Sequence, residues 1–405
     1  MSYVQVIEKI NKQVKNLGYS NEITFLEYAS NKNLAQYVSS LIPYGKVFIL
    51  SSEERYSESV EELRMELKCA NLRPTTVVLK KVKHLRLEDI SPLFCLSEDI
   101  RFLIVVDTDL AEIGNYFSTV KNVPVLFIIH SFDFGKAFAS TVSVLNGDSM
   151  DVFSLSSKRI FAVDEQGLEQ SSVCNGVATI GAKISALIDY KINSALTGKD
   201  QNVKYVESVE DALDSFNEFN LNDKRAVSLN VFYSTVVAEL GRFINNGEFN
   251  NCSSAVWSAR LFAGGDGYTA VAEFFSAKKI IECYFRLFSN NEKGETIPDY
   301  KLVAEMIGDA TKQGRVIAGR NVLKKLSILN DYSGGVERII TLLKNSARRA
   351  KKEFGQVEKI YLTLGGKKTY CPNKIAESVQ YSGYAGKAIN GMTLFCEKGY
   401  SVKKV

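Results

Sequence analysis

Histidine is nearly absent: His84 and His130 are the only two in 405 residues. A metal site drawing two or three imidazoles from one chain is therefore almost excluded. Neither histidine has a cysteine or serine at a known nucleophile spacing, and there is no G-x-S-x-G and no P-loop. The seven cysteines (69, 95, 174, 252, 283, 371, 396) are odd in number and include no C-x-x-C, which fits a reduced, cytoplasmic protein. Long apolar runs are missing too. The longest, Val123 to Ile129, is far too short to span a bilayer, and the opening MSYVQVIEKINKQVK lacks the apolar core of a signal peptide. The net charge of +4 does not by itself imply nucleic acid.

What is present is an ordinary globular composition, 45% hydrophobic and 24% charged, long enough for two domains. A polar helix over the first 20 residues precedes a short strand at Ile23–Tyr28. Buried strands are expected at Lys46–Ser51, Ile100–Val106 and Val123–Ile129 and further strands at Thr75–Leu79 and Lys158–Val163, with helices at Asn33–Leu41, Ser57–Cys69 and Leu110–Val120 between them. Continuous apolar strands alternating with helices predict a parallel sheet covered on both faces. After about residue 170 the pattern turns helical, at roughly 176–197, 207–217, 226–245, 253–288, 299–318, 335–353 and 373–389. The expected domains are 1–165, β/α, and 166–405, all-α.

One stretch says more. Gly176 to Gly198 reads GVATIGAKISALIDYKINSALTG, with apolar residues at helical spacing and Gly198 where a helix would end in a left-handed residue. Gly176, Lys183, Ala186, Asp189, Tyr190, Thr197 and Gly198 resemble the segment G-x-x-D-x-x-x-K-x-x-A-x-x-D-[WY]-x-x-x-x-x-x-T-G of the sn-glycerol-1-phosphate dehydrogenases. Those enzymes are a branch of the 3-dehydroquinate synthase and iron-containing alcohol dehydrogenase superfamily. Ala162-Val163-Asp164, Leu364-Gly365-Gly366, Pro372 and Asn390-Gly391-Met392-Thr393-Leu394 resemble looser motifs of the same family. The resemblance implies a dehydroquinate synthase-like fold: a Rossmann-like β/α domain followed by a helical metal- and substrate-type domain. It also implies an ancestral oxidoreductase using NAD(P) and a divalent metal such as zinc.

The chemistry-bearing positions depart from that pattern. The family's cofactor loop, G-G-G-T-x-x-D, corresponds to Val106-Asp107-Thr108-Asp109-Leu110-Ala111-Glu112, without its glycines. Side chains there block the backbone, and two carboxylates oppose a pyrophosphate. Asp107 and Asp109 read more simply as helix N-caps. The substrate loop corresponds to His130-Ser131-Phe132-Asp133-Phe134-Gly135-Lys136 with Ser140, which leaves Asp133 and Lys136 as ligand contacts or as a plain strand-to-helix turn. The metal ligands, one Asp and two His in the family, correspond to Thr179, Trp257 and Asp266, a set that cannot replace them.

Two readings stay open. In one, the chain is a degenerate member, a pseudoenzyme with no expected cofactor, that binds a protein partner or a small phosphorylated ligand. In the other, it is an active NAD(P)-dependent polyol-phosphate oxidoreductase, or a metal-free enzyme using Lys183, Asp133, Asp189 and Lys136 in a remodelled inter-domain cleft. Lys183 has a plainer alternative, a surface or inter-domain ion pair with Asp189 or with a neighbouring strand-loop carboxylate. Neither reading calls for nucleic acid or a membrane span, and both leave homodimerisation open. The basic run Arg348-Arg349-Ala350-Lys351-Lys352 reads as a solvated helix face.

Overall fold

The structure is a computed structural model. It describes residues 2–80, 85–96, 99–146, 149–198, 202–218, 223–262, 269–286, 298–310, 312–332, 336–397 and 400–402. The chain forms two units: Met1–Val173 with Asn220–Glu239, and Cys174–Phe219 with Leu240–Val405.

The first unit runs α1 (Tyr3–Asn16), β1 (Ile23–Glu27), α2 (Asn31–Leu41), β2 (Lys46–Ser52), α3 (Glu58–Cys69), β3 (Arg73–Leu79), β4 (Leu85–Arg86), α4 (Leu87–Cys95), β5 (Ile100–Val105), α5 (Ala111–Lys121), β6 (Val125–Ile129), β7 (Thr141–Asn146), β8 (Ser149–Ser154), β9 (Arg159–Val163) and α6 (Glu165–Gln170). Six strands make one parallel sheet in the order β1-β9-β6-β5-β2-β3. Connections through α3 run one way from β2, and those through α5 run the other way from β5. The loops after β2 and β5 therefore diverge, and ligands of such sheets bind outside the carboxyl ends of strands at such points.

Alternation within the strands builds a core on each face. Val47, Ile49, Phe102 and Ile104 pack with Leu34 and Val38 of α2 and with Val60 and Leu63 of α3. The opposite face carries an aromatic stack, with Phe138 and Phe25 at 4.5 and 4.8 Å from Phe161. Each such ring, fully buried, contributes about 1.5–3 kcal/mol. The outer edge of β1 is closed by a side chain: the Asn11 amide donates to Phe25 O (2.8 Å) and accepts from Phe25 N (2.9 Å), leaving no free ladder there for another strand.

The second sheet, β4-β7-β8, has no counterpart among the strands expected from the sequence. Its hairpin alternates weakly, with Val142 and Val144 buried between exposed Thr141 and Ser143, and turn-forming residues surround it. The single helix expected at 299–318 is two, Tyr300–Met306 and the start of Lys312–Asp331.

The remaining helices are α7 (Val173–Thr197), α8 (Val203–Asp214), α9 (Lys224–Leu240), α10 (Glu248–Cys252), α11 (Ser254–Ala259), α12 (Thr269–Arg286), α13 (Tyr300–Met306), α14 (Lys312–Asp331), α15 (Val336–Thr363), α16 (Pro372–Ser382) and α17 (Gly391–Glu397). Apart from α9, which is counted with the sheet through Glu239, they make up the second unit. The protein is thus a parallel-sheet α/β domain with a helical domain. As its sequence predicts, α7 is buried along nearly its whole length and gives way to Gly198 at φ +66°, a left-handed stop that glycine adopts without steric cost. Among the described residues, no helix is long and apolar enough to cross a membrane.

Candidate functional site

At the carboxyl ends of the sheet's strands, on the α2–α3 face, lies a cavity of about 440 Å³. Arg55, His130, Asp164, Asn31, Ser59 and Ser131 supply much of its polar wall. Arg55 sits in the turn after β2, where its N–H donates to Ser52 O (3.2 Å). Its guanidinium makes no ion pair among the described residues and is exposed. Helix α3 begins just beyond, and no side chain caps its first turn. Val60 N and Glu61 N bond to Ser57 O (3.1 and 3.3 Å), and the N–H groups of Glu58 and Ser59 before them, at the positive end of the helix dipole, have no side-chain cap.

The other walls are held rigidly. Asn31 is buried; its amide donates to Ser59 O (3.2 Å) and Glu62 Oε2 (2.8 Å) and accepts from the Tyr28 hydroxyl. Burial raises the Tyr28 hydroxyl above its ordinary pKa, and the charges of Asp164 and Glu62 push the same way. Asp164, at the end of β9, caps α6 by accepting from Gly167 N (3.1 Å). A Cβ on Gly167 would lie 2.6 Å from His130 Cβ, so only glycine lets α6 come this close. His130 follows β6. Burial lowers its pKa and the Arg55 charge lowers it further, against Asp107, Asp164 and Asp109. The imidazole is neutral at pH 7, and the cavity presents one cation, one carboxylate and a ring of hydroxyl and amide groups.

The expected cofactor loop takes a different form. Asp107 is buried and its carboxylate accepts from Asp109 N (3.0 Å) and from the Ser52 hydroxyl. It caps the single turn Thr108–Leu110, as the simpler reading predicts, and Asp109 lies within that turn. An N–H that could serve a pyrophosphate is thus taken by a carboxylate, and the residues present do not fit a dinucleotide phosphate at this turn. Asp133 donates its N–H to Ser131 Oγ (3.4 Å). Lys136 lies 3.7 Å from Glu112, both substantially exposed, a pair worth little.

In the helical unit Thr179 donates to Asn175 O (3.0 Å), one turn back on α7, as its sequence position predicts. Lys183 is buried and donates to Asn250 Oδ1 (3.1 Å). Asp189 accepts from Ser254 N (2.7 Å), Gly391 N (3.0 Å) and the Tyr284 hydroxyl. The Trp257 indole donates to Asn251 O (2.8 Å), and its ring packs with Met306 and Ala385. Thr179 and Trp257 offer no divalent metal a ligand, and Asp266, like the glycine-rich residues beside it and His84, falls outside the described residues. Among the described residues no three His, Cys, Asp or Glu side chains come together as metal ligands.

The structure therefore brings together Arg55, His130 and Asp164, with Asp107 next to them. Lys136 and Asp133 belong to the same strand-end loop without lining the cavity, and Lys183 belongs to the other unit. Arg55 carries no sequence signal beyond its place after a strand; His130 and Asp164 had strand ends to mark them.

No protein family model matches the chain, and no curated protein matches it. Among solved structures it is similar to glycerol dehydrogenase from Schizosaccharomyces pombe, at 12% identity over 95% of this chain and 93% of that one, with a TM-score of 0.47. It is also similar to an iron-containing alcohol dehydrogenase from Corynebacterium glutamicum (12%, 95% and 96%, TM-score 0.46) and to maleylacetate reductase from Agrobacterium tumefaciens (10%, 94% and 95%, TM-score 0.48).

Proposed function

We propose that this chain is a divergent relative of the glycerol-1-phosphate dehydrogenases that works by binding a small phosphorylated polyol in its sheet unit, without hydride transfer. The ancestry is supported by Lys183, Asp189, Tyr190 and Gly198 within the motif of α7, and by a parallel sheet preceding a helical unit. The reading of the site is carried by one observation: Arg55, which makes no ion pair among the described residues, stands in the cavity wall close in sequence to the start of α3, where no side chain caps the helix. A phosphate there would meet a guanidinium fork and helix N–H groups. The ligand's hydroxyls would face Asp164, Ser131 and Asn31, of which Asp164 can only accept. Neutral His130 would add a hydrogen bond without a second charge. Loss of dehydrogenase chemistry is supported by the occupied turn at Asp107 and by a tryptophan and a threonine at metal-ligand positions.

The test is thermal denaturation with glycerol phosphate, ribose phosphate and NADH in parallel. A ligand at about 100 times its Kd stabilises the folded state by about 2.7 kcal/mol. A phosphorylated polyol should raise the melting temperature, and Arg55→Ala should weaken that binding at least about tenfold, the scale of one charged hydrogen bond. An equal response in Arg55→Ala, or none to any phosphorylated polyol, would overturn the assignment. Saturable stabilisation by NADH would favour the active-oxidoreductase reading instead.

A further inference from the structure

Helix α14 carries a feature that the cavity does not use. From Lys312 to Asn330 it contains Lys312, Arg315, Arg320, Lys324 and Lys325 and no acidic residue; Asp331 is its last position. Lys325 turns inward. It is fully buried, and its ammonium donates to Gly383 O (3.0 Å) and Ala385 O (2.7 Å). Ala318, Val322 and Leu329 are buried along the same side. These contacts fix which face of α14 meets solvent. Lys312, Arg320 and Lys324 are exposed on that outer face and Arg315 at its edge, in line with buried Val322, and none of the four makes an ion pair among the described residues. Val316 and Leu323, 54% and 68% exposed, stand among them.

The arrangement is ordered. At 100° per residue Val316 and Leu323 lie only about 20° apart around the helix and about 10 Å apart along it. Arg315 flanks them on one side, and Arg320 and Lys324 on the other. The acidic groups nearest in sequence are mostly engaged elsewhere. Asp299 caps α13 through Lys301 N (2.9 Å) and Leu302 N (3.2 Å), Asp309 is nine-tenths buried, and Asp331 accepts from the Ser327 hydroxyl (3.1 Å). Glu305 of α13 is exposed.

We propose that this face of α14 docks onto an anionic lipid surface, with Val316 and Leu323 entering the headgroup boundary and the four cations meeting lipid phosphates and carboxylates. A second copy of the chain is disfavoured as occupant, because it would set four cations against four. A peptide helix is held in a groove, whereas two side chains this exposed form a ridge. A ridge of apolar tips flanked by cations is what a flat, negatively charged, deformable surface accepts.

The experiment is co-sedimentation of the full chain with vesicles of pure phosphatidylcholine or with about 30% phosphatidylserine, a charge density that draws in basic segments. Binding should require the anionic lipid and fall steeply with salt. Arg320→Glu with Lys324→Glu should lower it more than tenfold, and Leu323→Asn several-fold, with melting temperatures unchanged. The control reverses two charges elsewhere, Arg348→Glu with Lys352→Glu on α15, and should leave binding within about twofold because the effect is local within a screening length. No binding to anionic vesicles, equal losses in the control, or tighter binding to polyglutamate or duplex DNA than to vesicles would each overturn the proposal.

Discussion

Thr179 shows how one position can report a site's history. It is 5% exposed, and its hydroxyl is spent on the Asn175 carbonyl. An aspartate there would need a cation, and Trp257, held by Asn251 O, offers none a ligand. Thr179→Asp should therefore bind no zinc and lose about 1 kcal/mol, the scale of one poorly satisfied buried polar group. Urea curves of both proteins, with and without zinc, check this, and a zinc-dependent gain in the variant would mean that other ligands are in place. The Thr179 bond was legible in the sequence because it spans four residues of one helix. Arg55 was not: its importance arises where a turn, α3 and α6 converge, and no local pattern encodes that convergence.

Among the elements, α7 is the one whose wording and burial agree most closely, and Asp189 is its anchor. Its carboxylate ties α7 to the start of α11, to Tyr284 of α12 and to the start of α17. Full burial pushes its pKa up to about 6 from 3.8, while the Tyr284, Ser254 and Gly391 donors pull the other way. The folded chain thus holds the protonated form more tightly than the unfolded chain does. That stabilisation is complete below about 3.8 and is lost as pH rises through about 6. Asp189→Asn keeps a neutral group of the same shape but aims an amide N–H at a donor, so it should be less stable than wild type at low pH. The difference should narrow by about 2 kcal/mol between about pH 4.5 and about pH 7. Lys325, which burial lowers to about 7 while the Asp189 charge raises it, also feels the substitution, so the comparison is repeated in a Lys325→Met background. A difference that widens with pH would refute the assignment. The inner strands β2, β5, β6 and β9 were as readable as α7, because burial on both faces leaves them largely apolar. Helix α14 was not: its buried Lys325 and exposed Val316 and Leu323 reverse the usual pattern, so its periodicity is blurred.

For the whole molecule, the least legible fact is that the sheet unit is completed by a segment from beyond α7. The change from strands to helices near residue 165 marks a boundary along the chain, yet residues 220–239 fold with the sheet. Helical periodicity says that α9 has an apolar side but not which core receives it. Its contacts give the answer. Ser228 and Tyr3 share a hydrogen bond (3.2 Å), Arg225 reaches Glu165 (2.6 Å), and Lys9 lies over the Tyr233 ring (3.8 Å). Phe232, fully buried, meets Phe134 edge-on with centroids 5.8 Å apart. Phe134 belongs to the same strand-end loop as His130, so α9 braces the loop that forms part of the cavity wall. Phe232→Ala should cost about 3–5 kcal/mol, as for other fully buried rings, and the loss should be felt by the sheet unit. Native-state hydrogen exchange provides the measurement: amides of β6, β9 and α1 should exchange faster in the variant, while those of α12 and α16 keep their protection. Faster exchange confined to α12 and α16, or spread equally over both units, would show that α9 does not complete the sheet unit's core.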